Sequence, residues 1–327
     1  MKQWLEGWEA RCAAAPALRF VDTSLRGVGQ VMFQDNPASG ALFLAAVAWG
    51  SYAGGVPAVF GAAVLAVIVA TLTAMWLRVD AAALRAGLYG YNGVLVGAAL
   101  ATFIAPSPWL WAYVALGAAV SVVATLATAN ALKPYGVAAL TAPFVLVTWI
   151  LLLATHALGG LAGTALPDAA LATPIESVAA TRLSLGDFAQ GVVRSISQVF
   201  LKGSAVAALL LLAGLAVNSI AAAVAALAGA VLAVLVARAL GAESELVTGG
   251  LLGFSPVLTA IALATVFHAP GARVVAYAAL GTAFTVFAQL ACNVALAPLG
   301  IPALTAPFIL ASWLFLLPGL KGSDPSA

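Results

Sequence analysis

Four kinds of residue able to handle a small polar solute each occur twice along this chain. Gln30-Val31 is answered by Gln198-Val199. An aromatic ring with a leucine four residues on occurs as Tyr91 and Leu95 and again as Phe254 and Leu258. Thr141 and Thr305 each stand in an ALTAPF hexapeptide, two residues before Pro143 and Pro307. A glutamine amide offers one acceptor and two donors without carrying charge. An aromatic and a leucine at i and i+4 share a helix face, and two such pairs would frame a flat slot. An aromatic face also accepts planar amide-like groups through edge and N–H contacts. A proline removes a backbone donor and frees a nearby carbonyl, so a threonine hydroxyl beside it is a candidate station for N–H groups. Each feature alone has a plainer reading: a surface glutamine, a packed ring, or a threonine N-cap with proline in the first turn. Their duplication shifts the balance towards function.

The register of the duplication is nearly constant. GLYGYNGVL at 87–95 recurs as GLLGFSPVL at 250–258, an offset of 163, and ALTAPF at 139–144 recurs at 303–308, an offset of 164. Pro134, Gly136 and Trp149 are matched by Pro298, Gly300 and Trp313. Such a register marks an internal repeat, not compositional bias. The glycines of the first motif fit either a helix break facing a pore, where backbone dipoles meet a solute, or small-residue helix packing, since Gly93 and Gly97 form a GxxxG.

The elements that must position these residues are membrane helices. Only 7% of the residues are charged and 64% are hydrophobic, with mean hydropathy +1.11, against roughly 25% charged in a soluble domain. Apolar stretches fall at 38–53, 56–77, 87–105, 109–130 and 137–157, then at 203–217, 218–238, 247–267, 271–292 and 301–319. The expectation is an all-α integral membrane protein of two five-span repeats, about ten spans. The layout is an N-terminal interfacial arm at 1–25, a first repeat at 26–157 and a connecting loop at 158–195. A second repeat follows at 196–319 and a disordered tail at 320–327. Trp4, Leu5 and Trp8 suit an arm lying at the membrane interface. Glu6, Glu9 and Arg11 interrupt any secretory signal, so the arm is expected to be retained. An odd number of spans per copy turns the second copy over, giving an inverted repeat. With termini in the cytoplasm, nine of the thirteen Lys and Arg fall inside (Lys2, Arg11, Arg19, Arg26, Arg78, Arg85, Lys133, Arg273 and Lys321), as the positive-inside bias requires.

The same inventory excludes several classes. There is no Walker A loop, zinc-ligand cluster or nucleophile elbow, so no enzyme, metal or cofactor is expected. No basic tract points to nucleic acid. Cys12 and Cys292 read as small apolar packing residues. Asp and Glu lie at span ends or in loops and His156 and His268 near span boundaries, so no buried acid or histidine relay of an ion-coupled carrier is expected. Charged rings and a TVGYG-like carbonyl filter are also missing. What remains is passive permeation of a small neutral solute.

These residues are also where the chain resembles a known family. GLYGYNGVLVG and the doubled LTAPF, within a likeness running from about Gln30 to Trp313, resemble the urea transporters, and a bacterial member of them. The resemblance implies five spans and a tilted half-membrane helix per half, one pore per protomer and a homotrimer in the cell inner membrane. It also implies facilitated diffusion of urea. By motif it makes Gln30 and Gln198 the polar gatekeepers. Phe33, Tyr91 and Leu95 then line the slot of the first half, and Leu201, Phe254 and Leu258 that of the second. Thr141 and Thr305 stand at the constriction, where their hydroxyls and backbone carbonyls form the acceptor ladder. Tyr91 departs from a plain phenyl ring and FSPVL from the YNGVL pattern. Other small neutral amides, an ion-coupled carrier and a non-transporting scaffold are the alternatives.

Overall fold

A computed structural model of the protein describes residues 2–171 and 184–319. The tail at 320–327 and the middle of the 158–195 stretch lie outside the described residues. Two helices, α1 (Lys2–Ala14) and α2 (Pro16–Gly29), open the chain. Ala15 is extended and Pro16 occupies the first position of α2, where its missing N–H costs nothing. α1 is tied to α2 by Trp8, whose indole Nε1 donates to Asp22 Oδ1 at 2.7 Å.

From Pro16 onward the helices fall into two series of the same order. The first is α2, α3 (Pro37–Ala53), α4 (Ala58–Trp76), α5 (Ala81–Arg85), α6 (Tyr91–Phe103), α7 (Pro108–Leu132) and α8 (Ala142–Thr155). The second is α9 (Leu185–Ser197), α10 (Ala205–Asn218), α11 (Ile220–Ala239), α12 (Ser244–Thr248), α13 (Phe254–Ile261), α14 (Ala272–Leu296) and α15 (Ala306–Leu316). Both α2 and α9 run into a 3₁₀ turn, Gln30–Met32 and Gln198–Phe200. Left-handed backbone sits at matched places: Phe33 and Leu201 at φ 62° and 59°, and Leu140 and Leu304 both at φ 51°. An L-residue there is strained by roughly 1 kcal/mol or more. The four positions therefore record a backbone path that both series impose on their site residues.

Among the described residues, four helices are long and apolar enough to cross a membrane: α4, α7, α11 and α14, the second and fourth counted with their terminal 3₁₀ turns. α9 and its turn form with α10 a pair bent by 71°. The stretches at 87–105, 137–157, 247–267 and 301–319, expected as spans, instead hold shorter apolar helices of 10–17 residues. A 13-residue helix rises only about 20 Å against a hydrocarbon core of about 30 Å. The cause is in the motifs themselves. Gly87 adopts φ 79° just before α6, and Leu140 turns left-handed just before α8. α9 also starts at Leu185, inside the segment read as connecting loop. Ser184 and Asp187 form a capping box there, a helix-start signal hidden by the polar composition around it.

The two series pack on one another through α3 and α10. Ser39 Oγ donates to Gly214 O at 2.7 Å, and Asn218 Nδ2 to Gln34 Oε1 at 3.0 Å. At the other end Gly50 meets the aliphatic stem of the buried Lys202, so the helices run antiparallel. Within the first series the plainer reading of Gly97 holds. A Cβ there would lie 2.5 Å from both Ala62 O and Ala66 Cβ of α4. Gly97→Ala is therefore expected to lower stability by about 1–3 kcal/mol through overpacking. Thermal unfolding of the purified protein checks this, and an unchanged midpoint contradicts it.

Candidate functional site

The two ALTAPF segments meet. Thr141 Oγ1 and Thr305 Oγ1 lie 2.7 Å apart, although 164 residues separate them in the chain. Both residues are buried. Each stands at the N-cap position of its helix, α8 or α15, followed by a proline in the first turn, yet neither side chain caps. The helix-start reading of the motif is thus right for the backbone and wrong for the hydroxyl, which points at its counterpart. Reciprocal bonds frame the pair. Trp149 Nε1 donates to Pro302 O at 2.9 Å and Trp313 Nε1 to Ala138 O at 3.0 Å. Each tryptophan reaches from one series to the backbone preceding the other series' threonine.

Around this junction the expected residues divide into two groups. In the first half Tyr91 Oη donates to Leu140 O at 2.6 Å, next to Thr141. Gln30 Nε2 donates to Ala86 O at 2.8 Å. Phe33 packs edge-on against Phe267 at 6.0 Å and Phe308 at 6.2 Å between ring centroids. In the second half Gln198 Nε2 donates to Gly249 O at 3.1 Å, the matched position to Ala86. Gln198, Leu201 and Phe254 line one cavity of 360 Å³ that reaches Leu304, adjacent to Thr305. Leu95 and Leu258 are essentially fully buried and belong to the packed core that surrounds the threonines.

Several residues of this region carry no signal that a repeat would expose. Asn92 is fully buried. Its Nδ2 donates to Thr125 Oγ1 at 3.1 Å and to Leu140 O at 3.5 Å, and its Oδ1 accepts from Phe144 N at 3.2 Å. It thereby caps α8 from a neighbouring helix. Its second-half counterpart is Ser255, so comparing the copies hides its role. Gln289 and Asn293 are likewise unmatched in kind, standing opposite Thr125 and Ala129 of the first copy. Asn92→Ala leaves the Phe144 N–H without its acceptor. The expected loss is about 1–3 kcal/mol, read as a lower unfolding midpoint of the purified protein, and an unchanged midpoint contradicts it.

The electrostatics differ from expectation in one respect. Asp22 is a buried acid, 5% exposed, where none was expected. It is neutralised locally: Arg26 Nε lies 2.9 Å from Asp22 Oδ2, and Arg26 also pairs with Asp35 at 2.8 Å and Glu9 at 3.5 Å. Sequence spacing places Asp22 and Arg26 at i and i+4, but burial depends on α1 docking over them. Glu9, Asp22, Arg26 and Asp35, together with Arg85 and Ala86, line a cleft of 610 Å³, on the side of the site where Gln30 holds Ala86. Among the described residues no three His, Cys, Asp or Glu side chains are grouped as metal ligands would be.

Comparison with known proteins adds the family. A profile described as Urea transporter matches residues 21–319. The chain belongs to the urea transporter family. It is 30% identical over 311 residues to a protein named urea transporter 1 from sheep, Ovis aries. The alignment covers 92% of this chain and 77% of the relative. The mouse protein of the same name is 30% identical over 310 residues, with the same coverage. Membership places the chain among transport proteins, not enzymes, and with the apolar helices it makes this a multi-pass membrane protein.

Proposed function

We propose that this protein is a passive channel for urea. The observation that carries the reading is the contact between Thr141 and Thr305, in which two hydroxyls face each other where the halves meet. A solute with N–H donors passing this point would exchange their mutual bond for bonds to itself. The neutral threonine, glutamine and aromatic side chains suit the purpose, because urea offers a carbonyl and four N–H groups and no charge. Gln30 and Gln198 stand towards the two ends, and Phe33, Tyr91 and Leu95 with Leu201, Phe254 and Leu258 narrow the route between them. Family membership supports urea as the solute.

The membrane arrangement follows the same reading. The matched series of helices support two halves entering the membrane from opposite sides. The four short helices α6, α8, α13 and α15 then meet near mid-membrane, where non-helical backbone survives only against protein or water. The charge bias supports cytoplasmic termini. The family resemblance adds a homotrimer in the cell inner membrane, with one pore in each protomer.

Passive and coupled transport are separated by uptake of labelled urea into proteoliposomes with proton, sodium and voltage gradients imposed or collapsed. The channel reading expects equal rates in all conditions. Accumulation above the external concentration when a gradient is imposed would establish a coupled carrier instead. Competition by acetamide in the same assay decides how strictly the slot selects urea over other small amides.

A further inference from the structure

One charged side chain is buried with nothing to neutralise it. Lys202 is 5% exposed and comes directly after Leu201, whose left-handed backbone closes the 3₁₀ turn at Gln198–Phe200. Its backbone is fixed, since Lys202 N donates to Ser197 O at 3.2 Å. Among the described residues no carboxylate lies within ion-pair distance of its ammonium, and no group accepts a hydrogen bond from it. Neither α3, against which its stem lies, nor α10, which it precedes, carries a charged residue. The buried Asp22, by contrast, is met by Arg26. A charge buried without a partner is costly, and in a membrane protein it marks a functional position.

The repeat shows that this charge is an addition. Gln34 holds the place of Lys202 in the first half, four residues after Gln30 as Lys202 is four after Gln198. Gln34 is satisfied there: its Nε2 donates to Met32 O at 2.7 Å and its Oε1 accepts from Asn218 at 3.0 Å. Asn218 of α10 is matched on α3 by Gly50, at the same distance from the start of its helix. The second half thus exchanges an amide pair for a lysine laid over a glycine. A Cβ at Gly50 would lie 2.8 Å from Lys202 Cγ and 2.9 Å from its Cβ and Cδ, so the glycine is what admits the stem. The carbonyls of Gly50, Ser51 and Tyr52 already take the N–H groups of Gly54, Val56 and Gly55. The last turn of α3 therefore offers the ammonium the negative end of its dipole, which favours the charge without cancelling it.

We infer that Lys202 is a charge filter: its ammonium holds cationic analogues of urea out of the second-half slot and lets neutral ones pass. This rests on the channel reading for the route itself. Neighbouring Cα atoms are about 3.8 Å apart and a lysine stem reaches roughly 6 Å, so the ammonium lies within about 10 Å of the Leu201 Cα. At that separation, with an effective dielectric of about 20, a second positive charge in the slot is disfavoured on the order of tenfold. Urea carries no net charge and meets no such barrier. Shape alone does not make the distinction, because guanidinium is as planar as urea and as rich in N–H groups. The faces of Phe33 and Phe254, left to themselves, would favour the cation. Asp168 lines the mouth of the cavity that Leu201 enters, but it is exposed and water and salt screen its charge.

The test exchanges labelled urea, and separately labelled guanidinium, across proteoliposomes holding the same solute at equal concentration on both sides, so no net charge moves. Lys202→Met keeps the stem and removes the charge, Lys202→Gln installs the residue of the first half, and Lys202→Arg keeps the charge. The Met and Gln variants are expected to raise the ratio of guanidinium to urea exchange about tenfold, and the Arg variant to leave it as in wild type. A lysine that serves packing alone would change stability or both rates together and leave the ratio where it was. An unchanged ratio in folded Lys202→Met or Lys202→Gln overturns the filter, and so does a ratio that rises as far in Lys202→Arg. Wild type that exchanges no urea sinks the channel reading and the filter with it. Wild type that exchanges urea, with the same ratio in every variant, sinks the filter alone.

Discussion

Proteoliposomes carrying Thr141→Val/Thr305→Val are expected to release urea about 30- to 100-fold more slowly than those carrying wild type. Valine keeps the shape of threonine and deletes the hydroxyl. Each hydroxyl that bonds the solute at the narrowest point contributes about 1–1.5 kcal/mol, and two together correspond to that rate factor at about 1.4 kcal/mol per tenfold. Stability should change little, because the hydroxyls bond each other at 2.7 Å and leave together. The single variants differ in kind. Thr141→Val strands the Thr305 hydroxyl in a buried site, which costs about 1–3 kcal/mol, so it should unfold at a lower temperature than the double variant. Equal efflux from double variant and wild type would remove the threonines from the account.

The largest expected effect on stability lies away from the constriction, at Arg26. Its guanidinium holds the buried Asp22 at 2.9 Å and reaches Asp35 and Glu9. Arg26→Met keeps the stem and leaves Asp22 with the Trp8 indole as its remaining side-chain donor. Removing one partner of a buried ion pair costs about 3–5 kcal/mol, and thermal unfolding in detergent should show it as a marked fall in midpoint. Asp22→Asn added to Arg26→Met should recover part of the loss, since no buried charge then remains unpaired; Asp35 and Glu9 are exposed to water. Glu9→Ala, which breaks only an exposed arm of the network, should cost under about 1 kcal/mol. A midpoint for Arg26→Met equal to wild type would show that Asp22 is solvated and that α1 does not seal it.

How far the sequence reached depends on what a repeat can reveal. Low charge and apolar runs indicated membrane helices, and two copies of ALTAPF indicated a pair of threonines. Their meeting at 2.7 Å is what a shared axis between copies would produce. Helix lengths were less legible. Hydropathy sees the continuous apolar run at 87–105, but Gly87 turns the chain at φ 79° and α6 starts only at Tyr91. The capping box at Ser184 was present in the residues and lost among polar neighbours. Asn92, Gln289 and Asn293 were missed for the opposite reason. A repeat draws attention to what is kept, and these side chains matter where the copies differ. The burial of Asp22 depends on α1 folding over α2, a contact that no local pattern encodes.

The central claim is most directly tested by stopped-flow efflux of urea from proteoliposomes containing the wild-type chain, beside protein-free liposomes of the same lipid. The account predicts fast efflux, well above the protein-free control and unchanged when the membrane potential or the pH gradient is removed. Efflux indistinguishable from the protein-free liposomes would contradict it.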